Sequence, residues 1–176
     1  GEWRPVPGAP FFELLRLALG EPLPLIAENL GVITPAVEGL RRKFGMPGMA
    51  ILQFAFGTDP QAPTFLPHNY GRDLVAYSGT HDNDTVLGWW ASEGGDSTRT
   101  PEDVREEKAR ALEYLKVDGR EMNWALVEAL LASVADTVMT TAPVEVPVCV
   151  TVRKRLEPVP PSTRLAAGRI PGRDEA

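Results

Sequence analysis

Short runs of consecutive apolar residues are the clearest feature of the chain. They cover 23–27, 49–56 and 74–78, and each is bounded by proline, glycine or polar residues. Such runs are typical of strands that are buried on both faces. A further strand is predicted over 136–141, and an edge strand over 144–152 in a proline-punctuated segment. Helical patterns separate the runs, so the order of elements predicts an α/β fold with a parallel sheet.

Two helices are predicted in the first quarter of the chain. Apolar residues fill most of 11–19, between Pro10 and Gly20, which indicates a helix with a wide buried face. A second helix is expected to begin at Pro35 behind the capping residue Thr34 and to end before Gly45. Its buried stripe is predicted to consist of Val37, Leu40 and Phe44.

Three more helices are predicted in the second half of the chain. One contains Trp89 and Trp90 and stops before two glycines at 94–95. The next begins with Thr100-Pro101-Glu102-Asp103, the pattern of a capping box with proline at the first helical position, and runs to about Val117. The last covers residues from Glu121 to about Val134.

Composition narrows the function classes. The chain has 176 residues, 43% of them hydrophobic, which is enough for a folded core. The formal net charge of −6 argues against partners with many phosphates, so neither nucleic acid nor an anionic membrane is expected. Cys149 is the single cysteine, which excludes a disulfide framework within the chain and indicates a reducing, cytoplasmic location. No apolar run approaches the length of a membrane span, and residues 1–5 do not resemble a signal peptide.

Polar side chains follow the predicted strands at the point where each strand ends. Glu28 follows the first, Gln53 lies in the second, and residues 80–84 (Thr-His-Asp-Asn-Asp) follow the third. Parallel α/β folds build their sites at this edge, because the strands bring the side chains together there. Glu28 paired with Asp82 would be the minimum set for chemistry at a glycosidic bond.

Other interpretations of these residues remain open. Glu28 is either a capping carboxylate or a carboxyl in a partly apolar pocket that could protonate a leaving group. Asp84 is expected to cap the following helix. A metal site formed by His81, Asp82 and His68 is a third interpretation, although no second acidic cluster or His-x-x-x-His pair supports it.

Aromatic and amide side chains near the same strand ends suit stacking on sugar rings and recognition of hydroxyl groups. Phe54 is placed at a strand end. The two neighbouring tryptophans fit core packing of a helix better than a ligand. The residues considered for sugar contacts are Phe54, Asn69, Tyr70, Trp89 and Trp90.

Four ordered motifs within about 65 residues resemble a known family. Residues 26–35, Ile-Ala-Glu-Asn-Leu-Gly-Val-Ile-Thr-Pro, resemble the Ala-Glu-Asp-Leu-Gly-x-Ile-Thr segment of 4-alpha-glucanotransferases, the amylomaltase or disproportionating enzyme family. Residues 44–49 and 52–56, then 66–70, and then 77–85 with Gly-Trp-Trp at 88–90 match the next motifs in order. The similarity runs from about residue 1 to about residue 138.

The resemblance implies a (β/α)8 barrel that transfers α-1,4-glucan segments to the 4-hydroxyl of an acceptor, by a retaining double displacement and without a cofactor. The implied substrates are maltooligosaccharides and the dextrins of starch or glycogen. By motif match Glu28 would be the general acid/base, and Asp82 the carboxylate that binds the distorted sugar ring. His81 and Asn83 would contact sugar hydroxyls, and Phe54 would line the acceptor side of the cleft.

The chain also departs from the family pattern. Asn29 stands where the family has aspartate beside the acid/base. The nucleophilic aspartate belongs to an Arg-x-Asp-His segment, and these 176 residues contain no such segment. A barrel needs about 250 residues. We therefore expect residues 1–141 to be the last four strands of an incomplete barrel, the C-terminal half, which is catalytically inactive alone.

Residues 142–176 are expected to be a divergent, proline-rich tail, since the family's closing motifs are absent there. A shifted reading frame would account for this tail, because codons for 152–159 can be chosen so that another frame reads Ser-Gly-Asn-Gly-Trp-Ser-Arg-Tyr. Two alternatives to a transferase segment are a non-catalytic remnant that binds glucan weakly and a metal-dependent hydrolase.

Overall fold

A four-stranded sheet forms the centre of the protein. The computed structural model describes residues 4, 6–95, 99–141 and 149–153. The strands lie in the order β1-β2-β3-β4; β1, β2 and β3 are parallel, and β4 pairs antiparallel with β3. This arrangement confirms an α/β fold with a parallel sheet. The strand bounds are Gly48–Ile51 (β1), Leu74–Tyr77 (β2), Thr137–Thr141 (β3) and Cys149–Arg153 (β4).

Five α-helices accompany the sheet in the described part of the chain, close to the predicted positions. Thr34 caps the second through its Oγ1, and the capping box of Thr100 and Asp103 is present at the fourth. None of the described helices is long and apolar enough to cross a membrane. The helices are Gly8–Leu19 (α1), Pro35–Lys43 (α2), Val86–Ala91 (α3), Pro101–Leu115 (α4) and Met122–Ala132 (α5).

The predicted strand over 23–27 is wrong. Pro22 and Pro24 have no N–H to donate to a ladder, and the segment is irregular, with Ile26 half exposed. The backbone N–H of Ala27 donates to the carbonyl of Pro47 at 2.8 Å, directly before β1. The segment therefore runs beside the start of β1 without pairing with it as a strand.

The second predicted strand, 49–56, is a strand only in its first half and a 3₁₀ helix in its second half. β1 ends at Ile51, and Leu52–Phe56 form a 3₁₀ helix that buries Leu52 and Phe56. A continuous apolar run has the same appearance in a buried strand and in a buried helical turn. The turn carries Gln53 and Phe54 away from the sheet at the carboxyl end of β1. Two shorter 3₁₀ helices follow in the polar loop, Ala62–Phe65 and Pro67–Asn69.

The main core lies between the sheet and the helices of the second half. Phe56 and Trp89 pack with ring centroids 6.0 Å apart, so Trp89 is the core residue that its helical setting indicated. Other fully buried members come from the sheet, from the 3₁₀ helix after β1 and from α5. They include Leu52, Ala76, Leu126, Leu130 and Val138.

The first two helices are less buried than predicted. α1 has no fully buried residue, and Leu14 and Leu17 are 66% and 81% exposed, so the expected wide buried face is wrong. On α2, Val37 is exposed and Arg41 is buried, which corrects the predicted stripe. Apolar residues of both helices and of the neighbouring segments form a small separate cluster. Its members are Ala9, Phe12, Leu15, Leu23, Leu25, Ala27, Leu40, Phe44 and Met46.

Candidate active site

An open cleft of about 770 Å³ lies at the carboxyl ends of β1 and β2. The 3₁₀ helix after β1, the loop over 79–85 after β2, and helices α3 and α4 contribute to its walls. This is the edge at which the sequence predicts a site. The residues that line it include Gln53, Phe54, Phe65, Asp82, Asn83 and Glu107.

The loop over 79–85 is shaped by its own side chains. Asn83 Oδ1 accepts from the backbone N–H of Thr80 at 3.0 Å and from Thr80 Oγ1 at 2.9 Å. The N–H of Asn83 donates to the carbonyl of Thr80 at 3.1 Å, and the N–H of Asp82 donates to Thr80 Oγ1 at 3.4 Å. Asn83, predicted to bind substrate, thus also builds the loop that presents Asp82.

His81 and Asp82 lie on the outside of this loop. Their side chains are 88% and 77% exposed, and His81 Nε2 is 3.3 Å from Asp82 Oδ1. Asp82 lines the cleft, whereas His81 does not. Both are accessible to a ligand from solvent.

Thr85, rather than Asp84, caps α3. Thr85 Oγ1 accepts from the N–H of Gly88 at 3.0 Å. Asp84 Oδ1 accepts from the N–H of Thr85 at 2.7 Å. A Cβ at position 88 would lie 2.3 Å from the carboxylate oxygens of Asp84, so a larger residue there would displace that side chain. The predicted cap was wrong by one residue.

Glu28 is exposed and does not line the cleft, although the nearby Leu30 and Gly31 do. A partly apolar pocket, one of the two interpretations of this carboxyl, is not formed around Glu28 by the described residues. Asn29 holds this segment in place, because its Oδ1 accepts from the N–H of Met49 at 2.7 Å. A Cβ at Gly48 would lie 2.7 Å from that oxygen, so the amide packs directly on the β1 backbone.

One wall of the cleft is aromatic. Phe54 and Phe65 meet edge to face with ring centroids 5.5 Å apart, and Phe54 is 38% exposed. The other aromatic and amide candidates of this region have structural partners instead. Asn69 donates to the carbonyl of Pro63 at 2.7 Å. The hydroxyl of Tyr70 donates to the carbonyl of Phe65 at 2.7 Å, and burial raises the pKa of this phenol above its usual value.

Glu107 is a cleft residue that the sequence analysis missed. Its carboxylate is buried and accepts from Trp89 Nε1 at 3.0 Å and from Arg99 at 2.8 Å. Its position on the buried face could have been recognised from the helical spacing. Val104 and Ala111, three residues before and four residues after Glu107, are the buried positions of α4, so Glu107 shares their face.

The residues of the metal hypothesis are not brought together. His68 lies in a different groove, where its Nδ1 is 2.9 Å from the hydroxyl of Tyr114. The residues described here contain no cluster of three or more histidine, cysteine, aspartate and glutamate side chains that could hold a metal ion. The pair of His81 and Asp82 therefore has no third ligand from this part of the chain.

The chain is similar to the members of one known protein family. A family model for 4-alpha-glucanotransferases matches residues 1–143. A chloroplastic/amyloplastic 4-alpha-glucanotransferase of Oryza sativa subsp. japonica is 49% identical over 142 residues, which are 80% of this chain and 22% of that protein. A 4-alpha-glucanotransferase of Thermus thermophilus is 46% identical over 144 residues, 77% of this chain and 26% of that protein.

A solved structure supports the same relationship. The amylomaltase from Streptococcus agalactiae in complex with acarbose superimposes with a TM-score of 0.65 and 34% sequence identity, over 80% of this chain and 26% of that chain. The chain spans about a quarter of the length of the relatives that it matches. The sequence motifs, the parallel sheet and these similarities agree, and the chain belongs to the 4-alpha-glucanotransferase family.

Proposed function

We propose that the chain forms the last strands of a (β/α)8 barrel and supplies two carboxylates, Glu28 and Asp82, to a retaining 4-alpha-glucanotransferase site. One observation carries the proposal. The carboxyl ends of the parallel strands β1 and β2 bring Phe54 and Asp82 to one cleft. This is the edge at which barrel enzymes bind substrate.

In the proposed reaction, Glu28 protonates the glycosidic oxygen of the departing glucan. It later takes the proton from the 4-hydroxyl of the acceptor. The exposed carboxylate of Asp82 accepts hydrogen bonds from hydroxyls of the distorted ring. These bonds strengthen as positive charge develops in the transition state. The nucleophile comes from an Arg-x-Asp-His segment that is not among the 176 residues.

His81, Asn83 and Phe54 complete the proposed substrate contacts. His81 is exposed next to Asp82, and so can reach the same sugar. The half-exposed face of Phe54, backed by Phe65, suits stacking on an acceptor glucose. We also propose α-1,4-glucans as substrates, no cofactor and a cytoplasmic location. The activity for which the relatives are named and the acarbose bound to one of them support the substrate class, and the lone cysteine supports the location.

The test uses a grafted enzyme, in which residues 1–141 replace the matching segment of the Thermus thermophilus relative. Glu28→Gln should abolish disproportionation of maltotriose. Donors with good leaving groups need no proton and should lose far less in the first step. Glu113→Gln, at an exposed carboxylate of α4, is the matched control and should keep full activity. Equal losses with natural and activated donors would refute the assigned role.

A non-catalytic remnant is the second candidate, and the exposure of Glu28 and Asp82 in this chain favours it. Such a remnant would bind maltooligosaccharides weakly and would not support transfer of glucan segments. The grafted enzyme distinguishes the two candidates, because a remnant that has lost its catalytic geometry would leave the graft inactive even with the nucleophile restored.

A further inference from the structure

Gln53 is a buried amide that connects two walls of the cleft. It is 4% exposed and lies in the 3₁₀ helix after β1, next to Phe54. Its Nε2 donates to the backbone carbonyl of Asp84 at 3.1 Å, across to the loop after β2. The amide therefore joins the segment that carries the aromatic wall to the loop that carries Asp82.

The loop leaves room for this amide. A Cβ at Gly79 would lie 2.9 Å from Gln53 Nε2, so a larger residue at 79 would push the amide away. Within the described part of the chain, the other hydrogen bonds of residues 80–85 stay inside the loop or the first turn of α3. Gln53 is thus the side chain from another element that ties this loop down.

We propose that Gln53 is a positioning residue, whose amide holds the 79–85 loop and so sets where Asp82 stands relative to Phe54. Its importance for turnover rests on the proposed function, whereas the anchoring itself does not. An apolar side chain of similar size would fill the same space but would leave the carbonyl of Asp84 without its donor. The loop would then sample more conformations, and the carboxylate would be misplaced for part of the time.

The anchoring is tested by amide hydrogen exchange on the 176-residue chain. Gln53→Leu should speed exchange of residues 79–85 by about 2- to 10-fold, the range expected for loss of one hydrogen bond. Exchange in β2 and α5 should not change. Gln61→Leu is the matched control, because Gln61 is exposed and its side chain makes no hydrogen bond among those described. Equal exchange of the loop in both variants would overturn the proposal.

Gln53→Glu separates the hydrogen bond from simple packing. An ionised carboxylate has no proton to donate, whereas a protonated carboxyl can donate to the carbonyl of Asp84. At pH 7 the loop of the variant should therefore be less protected from exchange than the wild-type loop. Protection relative to the wild-type chain at the same pH should return as the pH is lowered through the pKa of the introduced carboxyl, which lies near or above the ordinary glutamate value of about 4.3. If the loop of Gln53→Glu were as well protected as the wild-type loop at both pH 7 and the lower pH, Gln53 would act only by filling space and the proposal would be overturned.

The catalytic consequence is measured in the grafted enzyme. Gln53→Leu should lower kcat for maltotriose by roughly tenfold or more while KM changes little, because Asp82 acts mainly in the transition state. Unchanged kcat with faster loop exchange would refute the positioning role. An inactive unmodified graft would refute the proposed function instead, and the exchange measurements would still decide whether Gln53 anchors the loop.

Discussion

Arg41 offers the sharpest test of how this fold is held together. Its buried guanidinium makes two hydrogen bonds to the carboxylate of Glu38, at 2.9 and 2.7 Å. It also donates to the carbonyl of Met46 at 2.6 Å and to the carboxylate of Asp73 at 2.8 Å. These bonds link α2 to the turn before β1 and to the loop before β2. The change we consider is Arg41→Met, which keeps an apolar stem and removes every donor.

The contacts do not contribute equally. The side chain of Asp73 is 63% exposed, so solvent screens its ion pair to well under about 1 kcal/mol. Loss of the bidentate pair with Glu38 should destabilise the fold more, because the side chain of Glu38 is only 27% exposed. The same holds for loss of the hydrogen bond to the carbonyl of Met46. Losing both should lower the free energy of unfolding by about 2–4 kcal/mol. Arg42→Met is the control, because Arg42 bonds the same carboxylate from a 69% exposed position and should cost less than about 1 kcal/mol.

The effect should depend on pH. Hydrogen bonding from Arg41 is the main cause that lowers the pKa of Glu38 from 4.5 to about 2. A pKa depressed in the folded state adds stability above the unfolded pKa, and that stability is lost as pH falls through the folded value. Between about pH 4.5 and 2, the intact chain should therefore lose stability that Arg41→Met has already lost, so the gap between them narrows.

Urea unfolding followed by tryptophan fluorescence at pH 7, 5 and 3 measures these differences. Lowering the pH will also reduce the stability that other carboxylates with depressed pKa values, such as Asp103 and Asp118, contribute in both proteins. The difference between the two curves therefore reports on the partners of Arg41, chiefly Glu38, because the pair with Asp73 is screened by solvent. Two results would refute the reasoning: Arg41→Met and Arg42→Met equally stable at pH 7, or a gap to the intact chain that stays constant down to pH 3.

Two further outcomes are expected for the chemistry. The 176-residue chain by itself should release no glucose from maltotriose, because it lacks the proposed nucleophile segment; turnover above that of the Glu28→Gln chain would mean that another carboxylate has taken its place. In the grafted enzyme, Asp82→Asn should lower kcat far more than it weakens binding of maltooligosaccharides, since the lost hydrogen bonds are strongest in the transition state. A covalent sugar trapped on Asp82 with a fluorinated donor would overturn that role.

The candidate site was predictable only in part from the sequence. Motif resemblance singled out Glu28, Asp82 and Phe54, and the predicted strand ends indicated the edge of the sheet at which the cleft lies. The pairing of Phe54 with Phe65 was not predictable, because it depends on how the loop after β1 folds back. Helical spacing placed Glu107 on the same face of α4 as Val104 and Ala111, but only the tertiary structure showed that this face meets Trp89 of α3.

Local interactions explain what the sequence by itself determined. The cap at Thr34 and the capping box at Thr100 involve atoms three residues apart, so the helix starts follow from neighbouring residues alone. Whether an apolar residue is buried depends on the rest of the molecule, so burial was decided by the tertiary structure alone. The same apolar character gave a strand at Leu74–Tyr77, an irregular segment at 23–27 and an exposed face on α1. The strands that pair with a segment and the surfaces that bury it come from distant parts of the chain, and no local pattern specifies them.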